Sequence, residues 1–202
     1  MQATERTLIR GLALLFAASG MAALMDQVAW QRLLFAFFGV DLESVSLVVA
    51  AFMFGLGTGA LVGGRLADHD PDRGLYLFAL MEAGVGLYAW ASPALFTALG
   101  ATLARADHLA VALVLFLAML PATLMMGATL PVLITVLVHR RPNVGWATGN
   151  LYSSNTLGAS LGALLTGLLV FNWLDLDQTL WLSGSINLGV SAGVFRLVRR
   201  LA

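Results

Sequence analysis

Six long apolar stretches, separated by short polar gaps, run the length of this chain. They cover about 8–25, 44–63, 75–91, 109–138, 146–171 and 179–195. A hydrocarbon core about 30 Å thick takes roughly 20 apolar residues per helix. The pattern therefore predicts an all-α, polytopic membrane protein: six transmembrane helices in a single domain over residues 1–202. After the first stretch, Asp26, Gln27, Trp30, Gln31 and Arg32 precede a second apolar run, Leu33–Val40. Either the helix ends near Asp26 or one long tilted helix continues. Ser92-Pro93 predicts a break after the third span, because the residue before proline avoids the helical region. Residues 94–106 would then form a short helix on the outer face. Pro121 and Pro131 interrupt the fourth stretch, where a kink or tilt would absorb the excess length.

Charge orients the stretches. All eleven basic residues are arginine. Arg6, Arg10, Arg65, Arg73, Arg140, Arg141, Arg196, Arg199 and Arg200 fall in alternate gaps, and the opposite gaps hold Arg32 and Arg105. Loops rich in Arg and Lys stay cytoplasmic. Both termini are therefore expected in the cytoplasm. Asp41, Glu43, Asp107, Asp175 and Asp177 fall on the expected outer side. Residues 8–24 have some features of a signal peptide, but five further apolar segments favour a retained first span.

Composition narrows the function classes. Hydrophobic residues make up 59% and charged residues 11%, against about 25% charged in soluble domains. Six helices leave no room within the chain for a soluble catalytic domain of even about 50 residues. The net charge of zero argues against nucleic acid as a partner. With no cysteine, thiolate metal sites are excluded. His69, His108 and His139 have no ligand spacing, so no metal or other cofactor is expected. The partners expected are the lipid bilayer and either protein subunits of a membrane complex or further copies of the chain.

Several polar residues inside the apolar stretches are candidates for a site. Glu82 lies about 10 Å into the third span. A carboxylate there costs several kcal/mol unless paired, protonated or hydrated. It is either a proton, cation or cationic-substrate site or a hydrogen-bonded tie between helices. Asp26 and Arg32, six residues apart, do not share a helix face. They read as an interfacial anchor around Trp30, with an outer gate as the alternative. Asn150, Ser153, Ser154, Asn155 and Thr156 form a polar patch in the fifth span that would hydrogen-bond between helices or line a polar cavity. Gly55, Gly59 and Gly63, like Gly158 and Gly162, recur every four residues. Such stripes let two backbones approach closely, within one subunit, at a dimer face or on a surface that slides. Glycine-rich second and fifth spans also hint at an inverted three-plus-three pseudo-repeat, a common transporter plan.

An ordered set of segments resembles the membrane portion of bacterial transmembrane spermidine synthase-like proteins. They are Asp26-Gln-Val-Ala-Trp30-Gln-Arg32-Leu33, Ala51-Phe-Met-Phe-Gly-Leu-Gly-Thr-Gly59 and Gly63-Gly-Arg-Leu-Ala-Asp68. Then come Glu82-Ala-Gly-Val-Gly-Leu-Tyr88, Pro121-Ala-Thr-Leu-Met-Met-Gly-Ala-Thr-Leu-Pro131 and Gly149-Asn-Leu-Tyr-Ser-Ser-Asn-Thr-Leu-Gly-Ala159. Met25-Asp26 stands where that family usually has Tyr-Glu. Members commonly continue into a cytoplasmic Rossmann-like aminopropyltransferase domain, whereas this chain ends at Ala202. The resemblance therefore implies a non-enzymatic membrane subunit that docks a separate enzyme or a larger complex. Gly64-Arg-Leu-Ala-Asp68 resembles, more distantly, a loop of the major facilitator superfamily, which implies half of such a transporter. The alternative reading is thus a half-size homodimeric transporter for a small cationic or polar solute such as a polyamine.

Overall fold

A computed structural model of the protein describes residues 3–38, 41–140 and 143–201. Arg141 lies outside the described residues, as do the side chains of Arg6, Asp41, Arg140 and Arg200. Six long helices follow one another: α1 (Ala3–Phe38), α2 (Asp41–His69), α3 (Gly74–Leu103), α4 (His108–Arg140), α5 (Val144–Leu165) and α6 (Leu176–Leu201). A π-helical turn, Thr166–Val170, and a last α-helical turn, Phe171–Trp173, extend α5. No strand occurs among the described residues.

Five of the helices are long and apolar enough to cross a membrane: Thr7–Phe35, Leu42–His69, Pro71–Leu103, His108–His139 and Val144–Trp173. The sixth, α6, is the more polar one, and the reason is its inner face. Thr179, Ser183, Asn187 and Ser191 recur every four residues and are all buried in the bundle. That spacing keeps one helix face turned to the same neighbours.

The elements run longer than the apolar stretches. α1 is one unbroken helix of 36 residues, so the chain does not end its first helix at Asp26. α2 continues through His69, which reduces the polar gap between the second and third apolar stretches to Asp70 and a 3₁₀ turn, Pro71–Arg73. An ion pair joins Arg73 to Asp70 there at 3.1 Å.

α3 is also continuous over 30 residues with Pro93 inside it, so the expected break and short outer helix do not occur. Local chemistry explains the difference. Proline removes the N–H that would bond the carbonyl four residues back, here that of Ala89. The Ser92 hydroxyl donates to this same Ala89 carbonyl at 2.8 Å. Hydroxyl side chains commonly satisfy carbonyls freed by proline in apolar helices.

Packing is most extensive between α2 and α4, α1 and α5, and α3 and α6. Glycine decides the first two pairs. A Cβ at Gly55 would collide with Thr123, one at Gly59 with the Leu124 carbonyl, and one at Gly63 with Ala128 at 2.6 Å. On the other pair, a Cβ at Gly158 would strike the Ala17 carbonyl and one at Gly162 the Met21 carbonyl. Both glycine stripes are thus filled by neighbouring backbone of the same chain.

Two apolar clusters fill the bundle. One gathers Leu8, Leu12, Phe16, Phe78, Val132, Leu133 and Val194. The other gathers Trp30, Leu34, Phe52, Phe96, Leu115, Met119 and Leu180. Between these levels lie the buried polar side chains Ser19, Asp26, Glu82, Ser183 and Asn187.

Candidate functional site

The polar level is built by three helices. α3 carries Glu82, 1% exposed, and α1 places Ser19 against it. The Ser19 hydroxyl donates to Glu82 Oε1 at 2.6 Å, while Glu82 Oε2 is buried with no hydrogen-bond partner. Asp26, two turns further along α1, accepts a hydrogen bond at Oδ1 from Ser183 of α6. Its Oδ2 has no partner either, nor has Nδ2 of Asn187, one turn from Ser183.

Among the described residues no base balances these carboxyl groups. Asp26 and Glu82 are the buried acidic side chains among the described residues, and every described arginine and histidine side chain is exposed. Arg32 lies against the Phe171 ring, 4.1 Å from its centroid. A buried carboxylate with no cationic partner is costly. Each group must therefore hold a proton or meet a cation brought in from outside.

Glu82 borders a cavity of about 340 Å³. Ser19, Gln27, Thr129, Asn155 and Asn187 supply its polar lining, and Phe16, Phe52, Leu56, Val85 and Met126 much of the rest. The exposed side chains of Met53 on α2 and Tyr152 on α5 stand at its rim. Small, mostly apolar cavities with a few convergent polar groups are the usual form of ligand sites.

The residues singled out in the sequence divide between several places. Glu82 and Asn155 share the cavity. Asp26 is fully buried, and so is Trp30, whose Nε1 donates to Ser92 Oγ at 3.0 Å. Neither forms the interfacial anchor that their spacing suggested; only Arg32 of that group is exposed. Asn150 is half-buried with an unpartnered Oδ1. Ser153 and Ser154 donate back to the Asn150 carbonyl. Thr156 is exposed and its carbonyl accepts from Ser160; Asn150, Ser153, Ser154 and Thr156 all stay outside the cavity lining. Ser19, Ser183 and Asn187 belong to this polar level and are not among the residues the sequence singles out. The four-residue repeat of small polar side chains in α6 was the available signal.

The chain is 29% identical over 199 residues to polyamine aminopropyltransferases of Mycobacterium tuberculosis and Mycobacterium bovis. The similarity covers 96% of this chain, which spans 37% of the length of those relatives. No family model matches the chain. No solved structure matches it, so the major facilitator resemblance has no support from these findings. The relatives overturn one expectation. A non-enzymatic role was expected because six helices leave no room within the chain for a soluble catalytic domain, yet proteins similar over nearly the whole chain bear the name of an enzyme and point toward one. The physical reason for the misreading is that a bundle of apolar helices displays its packing pattern, and that pattern is silent about chemistry.

Proposed function

We propose that this chain forms the helical membrane part of a polyamine aminopropyltransferase-type enzyme, and that its central cavity takes up a linear, protonated amine. The observation that carries this reading is Glu82: a buried carboxyl group with one oxygen free, on a cavity, with no buried base among the described residues to neutralise it. An alkylammonium matches that setting. Its charge meets Oε2, its N–H groups reach oxygen acceptors such as those of Gln27, Asn155 and Asn187, and its methylenes lie on Phe52, Leu56 and Val85. Ser19 holds the carboxyl group by its other oxygen and so fixes where the charge sits. The arginine distribution supports an orientation in a bacterial inner membrane with both termini cytoplasmic.

The test is spermidine binding to the purified protein in lipid nanodiscs by calorimetry. Wild type should bind, and Glu82→Gln should bind about tenfold or more weakly, since a hydrogen bond to a charged group contributes about 1.5–3 kcal/mol. Equal binding by the two proteins, or none by wild type, would remove this reading.

A second reading, a half-size transporter acting as a homodimer, is favoured by the packing pattern. Exchange of α1 with α4, α2 with α5 and α3 with α6 turns the α1–α5 pair into α4–α2 and returns α3–α6 to itself. These are the three most extensive pairs, and in each of the first two a glycine stripe of α2 or α5 meets the first helix of the other half. An inverted three-plus-three repeat would pair its helices in this way, which supports the reading. Spermidine flux into liposomes containing the protein alone would favour this reading; tight liposomes with amine binding intact would exclude it.

A further inference from the structure

Asp26 takes no part in the cavity lining, yet it repeats the arrangement of Glu82. Each carboxyl group is fully enclosed, each accepts from one serine through one oxygen, and each leaves its second oxygen without a partner. The serine that holds Glu82 and Asp26 itself stand seven residues apart on α1. Seven residues are two turns, so they share a face and lie about 10 Å apart along the axis. Asn187 stands one turn from Ser183, and it lines the same cavity as Glu82. The polar face of α6 therefore runs from one carboxyl group toward the other. Arg32, the nearest basic residue to Asp26 along α1, is exposed on the Phe171 ring. From α2, α3, α4, α5 and α6 no described basic side chain faces either group.

We infer that Asp26 and Glu82 are the two ends of one elongated site that takes a linear polyamine by both terminal ammonium groups. This rests on the amine reading of the cavity and adds the length and charge of the ligand. An extended chain advances about 1.2 Å per bond, so a 10 Å separation matches roughly nine bonds between nitrogens. Spermidine and octane-1,8-diamine have that span; butane-1,4-diamine falls well short. Two ammonium groups would neutralise both carboxylates, whereas a monoamine leaves one of them needing a proton. The inward polar face of α6 would lie along the ligand between its ends.

The experiment is calorimetric titration of the full chain in nanodiscs with butane-1,4-diamine, octane-1,8-diamine, spermidine and octylamine. Octylamine matches the apolar length of the long diamine with one charge removed. Octane-1,8-diamine and spermidine should each bind about tenfold to a hundredfold more tightly than octylamine and butane-1,4-diamine, the range expected of one added charged hydrogen bond. In Asp26→Asn the advantage of octane-1,8-diamine over octylamine should vanish. Equal wild-type affinity for octylamine and octane-1,8-diamine overturns the two-ended site but leaves the single-amine reading standing. So does an undiminished diamine advantage in Asp26→Asn. No binding by any of the four amines removes the amine reading and this inference with it. The wild-type comparison decides the matter even where the Asp26 variant does not fold.

Discussion

The Ser19 hydroxyl lies 2.6 Å from Glu82 Oε1, so a donor from α1 holds a carboxyl group of α3 across 63 positions of sequence. Ser19→Ala leaves both carboxyl oxygens without a side-chain donor. An unsatisfied buried group costs about 1–3 kcal/mol. Ser19→Ala should therefore lower the thermal midpoint of the protein, measured in detergent by tryptophan fluorescence. If an ammonium enters the cavity, spermidine should raise the midpoint of Ser19→Ala by more than that of wild type, because it supplies the missing donor. Equal shifts would mean that the amine does not replace the Ser19 donor at Oε1.

A single hydroxyl keeps α3 in one piece. Ser92 donates to the Ala89 carbonyl, which Pro93 leaves without its helical partner, and accepts from the Trp30 indole. Ser92→Ala should destabilise by about 1–3 kcal/mol. Adding Pro93→Ala restores an N–H for Ala89 and should recover part of that loss; the Trp30 hydrogen bond stays lost. If the double variant is no more stable than Ser92→Ala, the compensation is not at Ala89.

Glycines in the same helices should differ sharply. Gly158→Leu drives a side chain into the Ala17 backbone, and overpacking of this kind costs about 1–3 kcal/mol or more. Gly149→Ala, on the same helix with open space around the site, should be neutral or raise stability by up to about 1 kcal/mol, since alanine is the better helix former. Thermal unfolding of the two variants side by side checks this. Similar behaviour would mean that α5 does not lie against α1 as described.

Topology has a clean test, because the chain contains no cysteine. With arginine-rich gaps inside, Asp175→Cys should react with an impermeant maleimide added to intact cells, and Asp72→Cys only after the membrane is opened. The reverse pattern would overturn the orientation.

How much of this was legible in the sequence varies with the kind of interaction. Helix number and order, the placement of arginines and the glycine stripes all follow from local properties. Apolar length suits a bilayer, charge resists crossing it, and four-residue spacing is one face of a helix. Glu82 stood out for the same reason, as a lone carboxylate deep in an apolar run. Local rules misjudged α3, because the donor that rescues Pro93 acts on a carbonyl that only a continued helix brings within reach of Ser92. They also misjudged Asp26 and Trp30. In a helix apolar on every side, nothing in the pattern distinguishes the face turned to lipid from the face turned to other helices, since both settings are apolar. Which residues share a buried level was decided by the tertiary structure alone: α3 against α6, α1 against α5, and with them Ser19 on Glu82, Ser183 on Asp26, and the cavity beside them. Those partners are 63 and 157 residues apart, and only the packing of whole helices brings such distant positions together.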